Sequence, residues 1–435
     1  MSKNKVEKPQ REVTKRQLSH WQREHRLQRI VIITGIVILA AILIIISAGI
    51  YLDKYKPYHT TVLKVGDTEY SMDYYIDMLV LLWQGQPQIL QQMSSYATQQ
   101  TAQMIEQNQI LMEAAAKLDT PIIVSDSEIQ KYITDNQLTS EKAMYDRVHF
   151  QLLIQKLQSE YFDKQIGPAE QRALLAMFLE SQKQVDEVKA SIENGKNFND
   201  LAAELSLETE SKDKKGDFGW IPQGVLSTIL GSLADTVLDD SVFSATTLPG
   251  VLNQVAADNQ TKNIGYWVLK VTEKNTSTNQ VHLFAMLLGS QAAAEDMILK
   301  LNAGADFVTE GKTNSLYKNA SEDGGDLGFI TKGVMGDAVD AVIFPEDSTK
   351  TLPLNSLSSP IADTSQTTSG GIWLFEVTEI NPSKEITGDS RTTLVNQKLD
   401  AWASQVWKDN QSRIENLLNA DQESFAVVKA LARMQ

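Results

Sequence analysis

The sequence predicts an α+β multidomain protein with a single N-terminal transmembrane helix, a helical block, two tandem α/β repeats and a C-terminal helix that returns to the helical block. Three observations predict it. Residues Ile30 to Leu52 carry no charge. Apolar residues between 71 and 165 recur at helical spacing, and landmarks within 171–274 recur within 281–380.

The uncharged run, 23 residues long, spans about 34 Å as a helix, enough to cross a bilayer core. It is too long for the apolar stretch of a signal peptide, and no small-residue cleavage pattern precedes Asp53. Residues 1–29 hold nine Lys/Arg against three Glu, and the chain totals −15, which leaves −21 after the anchor. Such a basic arm predicts a cytoplasmic N-terminus, with the acidic bulk on the extracytoplasmic side of a bacterial-type cell envelope. An acidic ectodomain argues against nucleic-acid partners. The absence of cysteine excludes disulfides, thiol catalysis and a lipid-modified cysteine anchor. His20, His25, His59, His149 and His282 are scattered, so neither a metal nor another cofactor is expected. No P-loop, dinucleotide fingerprint or nucleophile elbow is present.

Residues 58–168 form the helical block. TTVLKVGDTEY (60–70) reads as a hairpin turning at Gly66-Asp67, and Ser71 caps a helix with core positions Tyr75, Met78, Leu79 and Leu82. Gly85 and Pro87 end it. A second helix, about 88–118, carries a stripe of Met104, Leu111, Ala115 and Leu118. Ser125-Asp-Ser-Glu128 is a capping box, and a long helix follows from about 139 to 165. Gln- and Met-rich surfaces around 83–112 suit contact with varied polypeptides; the same methionines would equally serve as core.

The repeats run in step. Strands ALLAMFL (173–179) and VHLFAMLL (281–288) lead into helices capped by Ser181 and Ser290 and ended by Gly195 and Gly304. Phe198 and Phe307 come three residues after those glycines, and each stands 18 residues before a Gly-Asp turn, in KKGDFGWIPQGVL (214–226) and EDGGDLGFITKGVM (322–335). Closing strands GYWVLKVTE (265–273) and GIWLFEVTE (371–379) complete them. Residues 386–435 read as helices packing back on the helical block.

Strand, G-x-x-F, G-D-φ-G-φ, G-V-φ and a final G-φ-x-φ-φ-x-V strand together resemble the parvulin-type peptidyl-prolyl isomerases. Through VLKVGDTEYSMDYY and AAAKLDTPIIVSDSEI the helical block resembles the N-terminal half of SurA-, PrsA- and PpiD-type foldases. The resemblance covers most of residues 60–410. It implies, for each repeat, a four-stranded antiparallel sheet wrapped by helices, with a prolyl peptide in an apolar groove. The proline pocket would be Leu327, Met335, Val339 and Phe344 in the second repeat. In the first it would be Phe218, Leu226, Leu230 and Phe243, with an insertion before Phe243. These residues would equally make plain core.

Active members of the family place a histidine on the first strand and another on the last, near an Asp or Cys. Here those positions hold Ala176 and Ala285, Trp267 and Trp373, and the third falls near Glu208 and Tyr317. His282 lies on the opposite strand face. Trading two imidazoles for a methyl and an indole roughly conserves volume and removes buried polar atoms. The implied function is therefore a membrane-anchored foldase acting mainly as a chaperone for unfolded or proline-containing exported polypeptides. The alternatives are an active isomerase working through the second repeat, or a membrane scaffold binding one fixed partner.

Overall fold

The computed structural model describes residues 15–230 and 235–434; the first half of the basic arm lies outside them. The chain divides into two compact units, residues 1–161 with 400–435, and residues 162–399.

In the first unit a continuous helix, Lys15–Ile50, contains an apolar span, Ile32–Ile50, of mean hydropathy 2.8, and none of that span is buried by protein. Strands β1 (Thr61–Val65) and β2 (Thr68–Ser71) form the expected hairpin. A third strand, Ile414–Asn416, which the periodicity did not disclose, pairs antiparallel with β1. Ser71 accepts from the Tyr74 amide and caps the helix Met72–Trp83, whose Met72, Tyr75, Ile76, Met78 and Leu79 are buried. The next helix is broken at Met93 into Pro87–Gln92 and Ser94–Ala115. Its core face shares only Ala115 with the expected stripe. Ala97, Ala102, Ile105, Ile110 and Ala115 face inward, while Met104 turns out to 39% exposure. Small residues permit a close helix approach that a Met-Leu stripe would not, and this sets the rotation.

The Ser125 capping box forms as expected. The long helix is α-helical over Lys142–Lys156 and continues as a π-turn, Leu157–Phe162. Helix Ala420–Arg433, capped by Asn419 and Gln422, buries Ala426, Val427 and Ala430 in the same core as Met72–Trp83. Arg433 bonds Asp73 at 2.6 Å and also Asp77. The expectation placed all of 386–435 on this unit. Residues 388–399 belong instead to the second, where Gln397 donates to the Gly224 carbonyl at 2.8 Å.

Glu106 is 7% exposed and one carboxylate oxygen has no hydrogen-bond partner. Burial pushes its pKa up to about 7. A raised carboxyl pKa means the folded state holds the proton longer than the unfolded chain. Stability is therefore full below the unfolded value near 4.5 and falls as pH rises through about 7. Glu106→Gln should raise the melting point of this unit at pH 8 by the equivalent of roughly 2–3 kcal/mol. At pH 4 the gain should vanish, and thermal scans at both pH values check this.

The second unit holds two four-stranded antiparallel sheets. Its strands are β3 (Ala169–Leu179), β4 (Asp217–Pro222), β5 (Leu252–Ala256), β6 (Thr261–Lys262), β7 (Gly265–Asn275), β8 (Gln280–Leu288), β9 (Asp326–Ile330), β10 (Ile361–Asp363), β11 (Thr368–Ser369) and β12 (Ile372–Lys384). The sheet orders are β4-β3-β12-β5 and β10-β7-β8-β9. The closing strands have therefore changed places. β7, which ends the first repeat in sequence, pairs with β8 of the second, and β12 pairs with β3 of the first.

The two connections that cross between the sheets are zipped together by the β6–β11 ladder. Lys262, 3% exposed, donates its ammonium to the Ser369 and Gly370 carbonyls, and the Gly370 amide bonds the Gln260 carbonyl at 2.9 Å. Buried charge and crossing backbone satisfy one another there, which fixes the exchange.

Candidate functional site

The repeated Gly-Asp turn has a positional reason. Gly216 and Gly325 adopt φ of +76° and +86°. Their carbonyls accept the amides of Ala176 and Ala285, each at 2.9 Å. A Cβ on Gly325 would lie 2.9 Å from both the Ala285 oxygen and the Phe307 ring, and on Gly216 it would lie 3.1 Å from the Ala176 oxygen and 3.0 Å from Phe198. The G-x-x-F spacing and the Gly-Asp turn thus meet beneath the alanine of the first strand. The following aspartates, Asp217 and Asp326, each accept the amide two residues on at 2.9 Å, closing the same turn twice.

Above each alanine lies a tryptophan from the exchanged strand. In one sheet Trp373 is opposite Phe178 and Phe375 opposite Ala176, so Trp373 and Ala176 are diagonal neighbours on one face. In the other, Trp267 is opposite Leu287 and Leu269 opposite Ala285, giving the same diagonal. The spatial partners are therefore Ala176 with Trp373 and Ala285 with Trp267, the reverse of the pairing implied by sequence order. Both indoles are fully buried. Their N–H groups are satisfied from the crossing connections, Trp267 donating to Asp363 at 2.9 Å and Trp373 to Gln260 at 2.6 Å. Neither partner was foreseen. The repeated Gln seven residues before each Trp (Gln260 and Gln366) was the available signal.

Leu327, Met335, Val339 and Phe344 collect in one cluster with Trp267 and Ala285. Met335 and Val339 are buried, whereas Leu327 and Phe344 are half-buried. Phe218, Leu226, Leu230 and Phe243 collect likewise with Trp373 and Ala176. The Gly-Val steps are held alike, the Gly333 amide donating to Asp340 at 2.6 Å and that of Gly224 to Asp239 at 3.0 Å. Tyr317, expected near the third family position, lies edge-on to Trp267 at 5.2 Å between centroids. Its counterpart Glu208 accepts the Glu210 and Ser211 amides as a helix cap, while burial raises its pKa. Beside Phe344 the surface opens into a cleft of about 330 Å³ bordered by Lys274, Val281 and Lys332. The expected surface histidine, His282, sits on the other face of the sheet, 3.1 Å from the Thr272 hydroxyl and 3.4 Å from Asp326.

Each antiparallel sheet thus carries a buried apolar cluster beneath its Gly-Val turn. Residues 176–275 match the family described as PPIC-type PPIASE domain. The chain is similar to the foldase protein PrsA of Caldanaerobacter subterraneus subsp. tengcongensis, 25% identical over 137 residues, 28% of this chain and 44% of that relative's length. Among solved structures it is similar to the peptidylprolyl isomerase PrsA of Bacillus cereus at 11% identity and TM-score 0.28, covering 86% of this chain and 99% of the other. The foldase PrsA of Streptococcus pneumoniae gives 13% and 0.16, covering 71% and 89%. The family match and the PrsA relative support a parvulin-type foldase family for this chain.

Proposed function

We propose that this chain is a membrane-anchored, extracytoplasmic foldase that holds unfolded exported polypeptides, and that both of its parvulin-like modules have lost their isomerase centre. The observation that carries the reading is the Ala–Trp packing of both modules, with each indole buried and hydrogen-bonded where the family's histidine pair would sit. Twisting an X-Pro bond requires a site that favours the twisted amide over the planar one. A filled apolar diagonal has no group to supply that preference.

Support for holding comes from the helical unit. Met93, Tyr96 and Met104 are 54%, 50% and 39% exposed at near-helical spacing, and Trp83 lies edge-on to Tyr96. An exposed methionine-aromatic stripe suits varied apolar segments. The uncovered Ile32–Ile50 span supports an anchor, and the basic arm supports a cytoplasmic N-terminus.

The test is a protease-coupled proline-peptide assay on the full chain, run beside an aggregation assay with a denatured client. The isomerisation rate should equal the uncatalysed rate while aggregation is suppressed. Clear acceleration would restore the active-isomerase alternative.

A further inference from the structure

The two modules differ on the sheet face opposite the Ala–Trp cluster. In one sheet Trp220, on edge strand β4 and opposite Ala173, has the Lys384 ammonium 4.7 Å from its ring centroid. The lysine comes from the tail of β12, which continues along β3 to Ala169. In the other sheet Phe329 occupies the matching edge position, opposite His282. There β7 ends at Asn275 and the chain turns directly into β8, so no matching tail exists. Phe329 is left 44% exposed, edge-on to His282 at 5.1 Å. The face continues through Phe284 into a mostly polar cleft of about 710 Å³, where Ile298, Leu301, Phe307 and Leu357 alternate with Thr272, Asn302, Asp306 and Asn355. That is within the volume range of a ligand site. Its charges are Asp326 beside His282, and Lys270 acting on Asp306.

We infer that this face of the second module is a polypeptide site for an extended, unfolded segment with a lysine or arginine next to apolar side chains. The cation would lie over Phe329 beside the Asp326 carboxylate, as Lys384 lies over Trp220, the adjoining apolar side chains would rest on Phe284, Ile298 and Phe307, and the segment's backbone would meet the polar lining of the cleft. One module supplies its own cation and the other takes it from a client. The sign agrees with the −21 carried after the apolar span, and a cation over an aromatic face gains most where water is partly excluded. This inference rests on the reading that the chain handles unfolded polypeptides, and its site is on the sheet face opposite the family's groove.

The test uses the full chain in detergent and two fluorescein-labelled decapeptides of leucine and valine, one carrying two lysines and the other two glutamates. The lysine peptide should bind about ten-fold more tightly by anisotropy. Phe329→Ser, which changes no charge, should weaken it about five-fold, whereas Phe329→Tyr should retain binding. Equal affinity for both peptides, or unchanged binding by Phe329→Ser, overturns the site. Suppression of client aggregation by the unaltered chain is read separately; its absence would defeat the foldase reading rather than the site.

Discussion

Replacing Trp373 by alanine should destabilise residues 162–399 by about 3–5 kcal/mol, the range for emptying a large buried aromatic site. The side chain is fully buried, lies 5.3 Å from Phe178 between ring centroids and satisfies Gln260. Its loss would open a cavity and strand a buried amide at once. Because Trp373 rides on the exchanged strand, both modules should lose stability in one transition, read as a single shifted thermal unfolding step. Two separate transitions, with only the module of β8 unchanged, would show that the exchange does not couple them.

Gly325→Ala should cost about 2–4 kcal/mol, combining left-handed backbone strain with a clash that cannot relax. The clashing atoms are a main-chain oxygen at 2.9 Å, of Ala285, and a ring atom of Phe307 that is itself packed. Gly328→Ala makes the control. It also has positive φ, +66°, but a Cβ there meets nothing within 4 Å, so only the backbone term remains. Chemical denaturation of the two variants should separate strain from contact.

Much of the fold was legible because its signals are local. The hairpin at Gly66, the caps at Ser71, Ser125, Ser181 and Ser290, and the matched Gly-x-x-Phe and Gly-Asp landmarks each depend on a few neighbouring residues. The small and large residues at Ala176, Ala285, Trp267 and Trp373 were also legible, and all four are buried. Strand partnership was not. GYWVLKVTE and GIWLFEVTE are near copies, so either fits either sheet by side-chain pattern, and the choice is made by the connections rather than by the strands. Those connections carry the decisive polar groups, Gln260, Lys262 and Asp363, in stretches without periodicity. Apart from Ala115, the inward face of Ser94–Ala115 was missed for another reason: its core is built largely of alanine and threonine, which a hydrophobic stripe does not register.

The central claim is that each tryptophan is delivered to the other repeat's sheet. Engineered cysteines test it directly, because the native chain has none. Glu379 lies opposite Ala173, and Glu273 opposite His282. Oxidation of Ala173→Cys/Glu379→Cys should give an intramolecular disulfide in full yield, while Ala173→Cys/Glu273→Cys stays reduced. The opposite pattern would put Trp267 over Ala176 and contradict the exchanged arrangement.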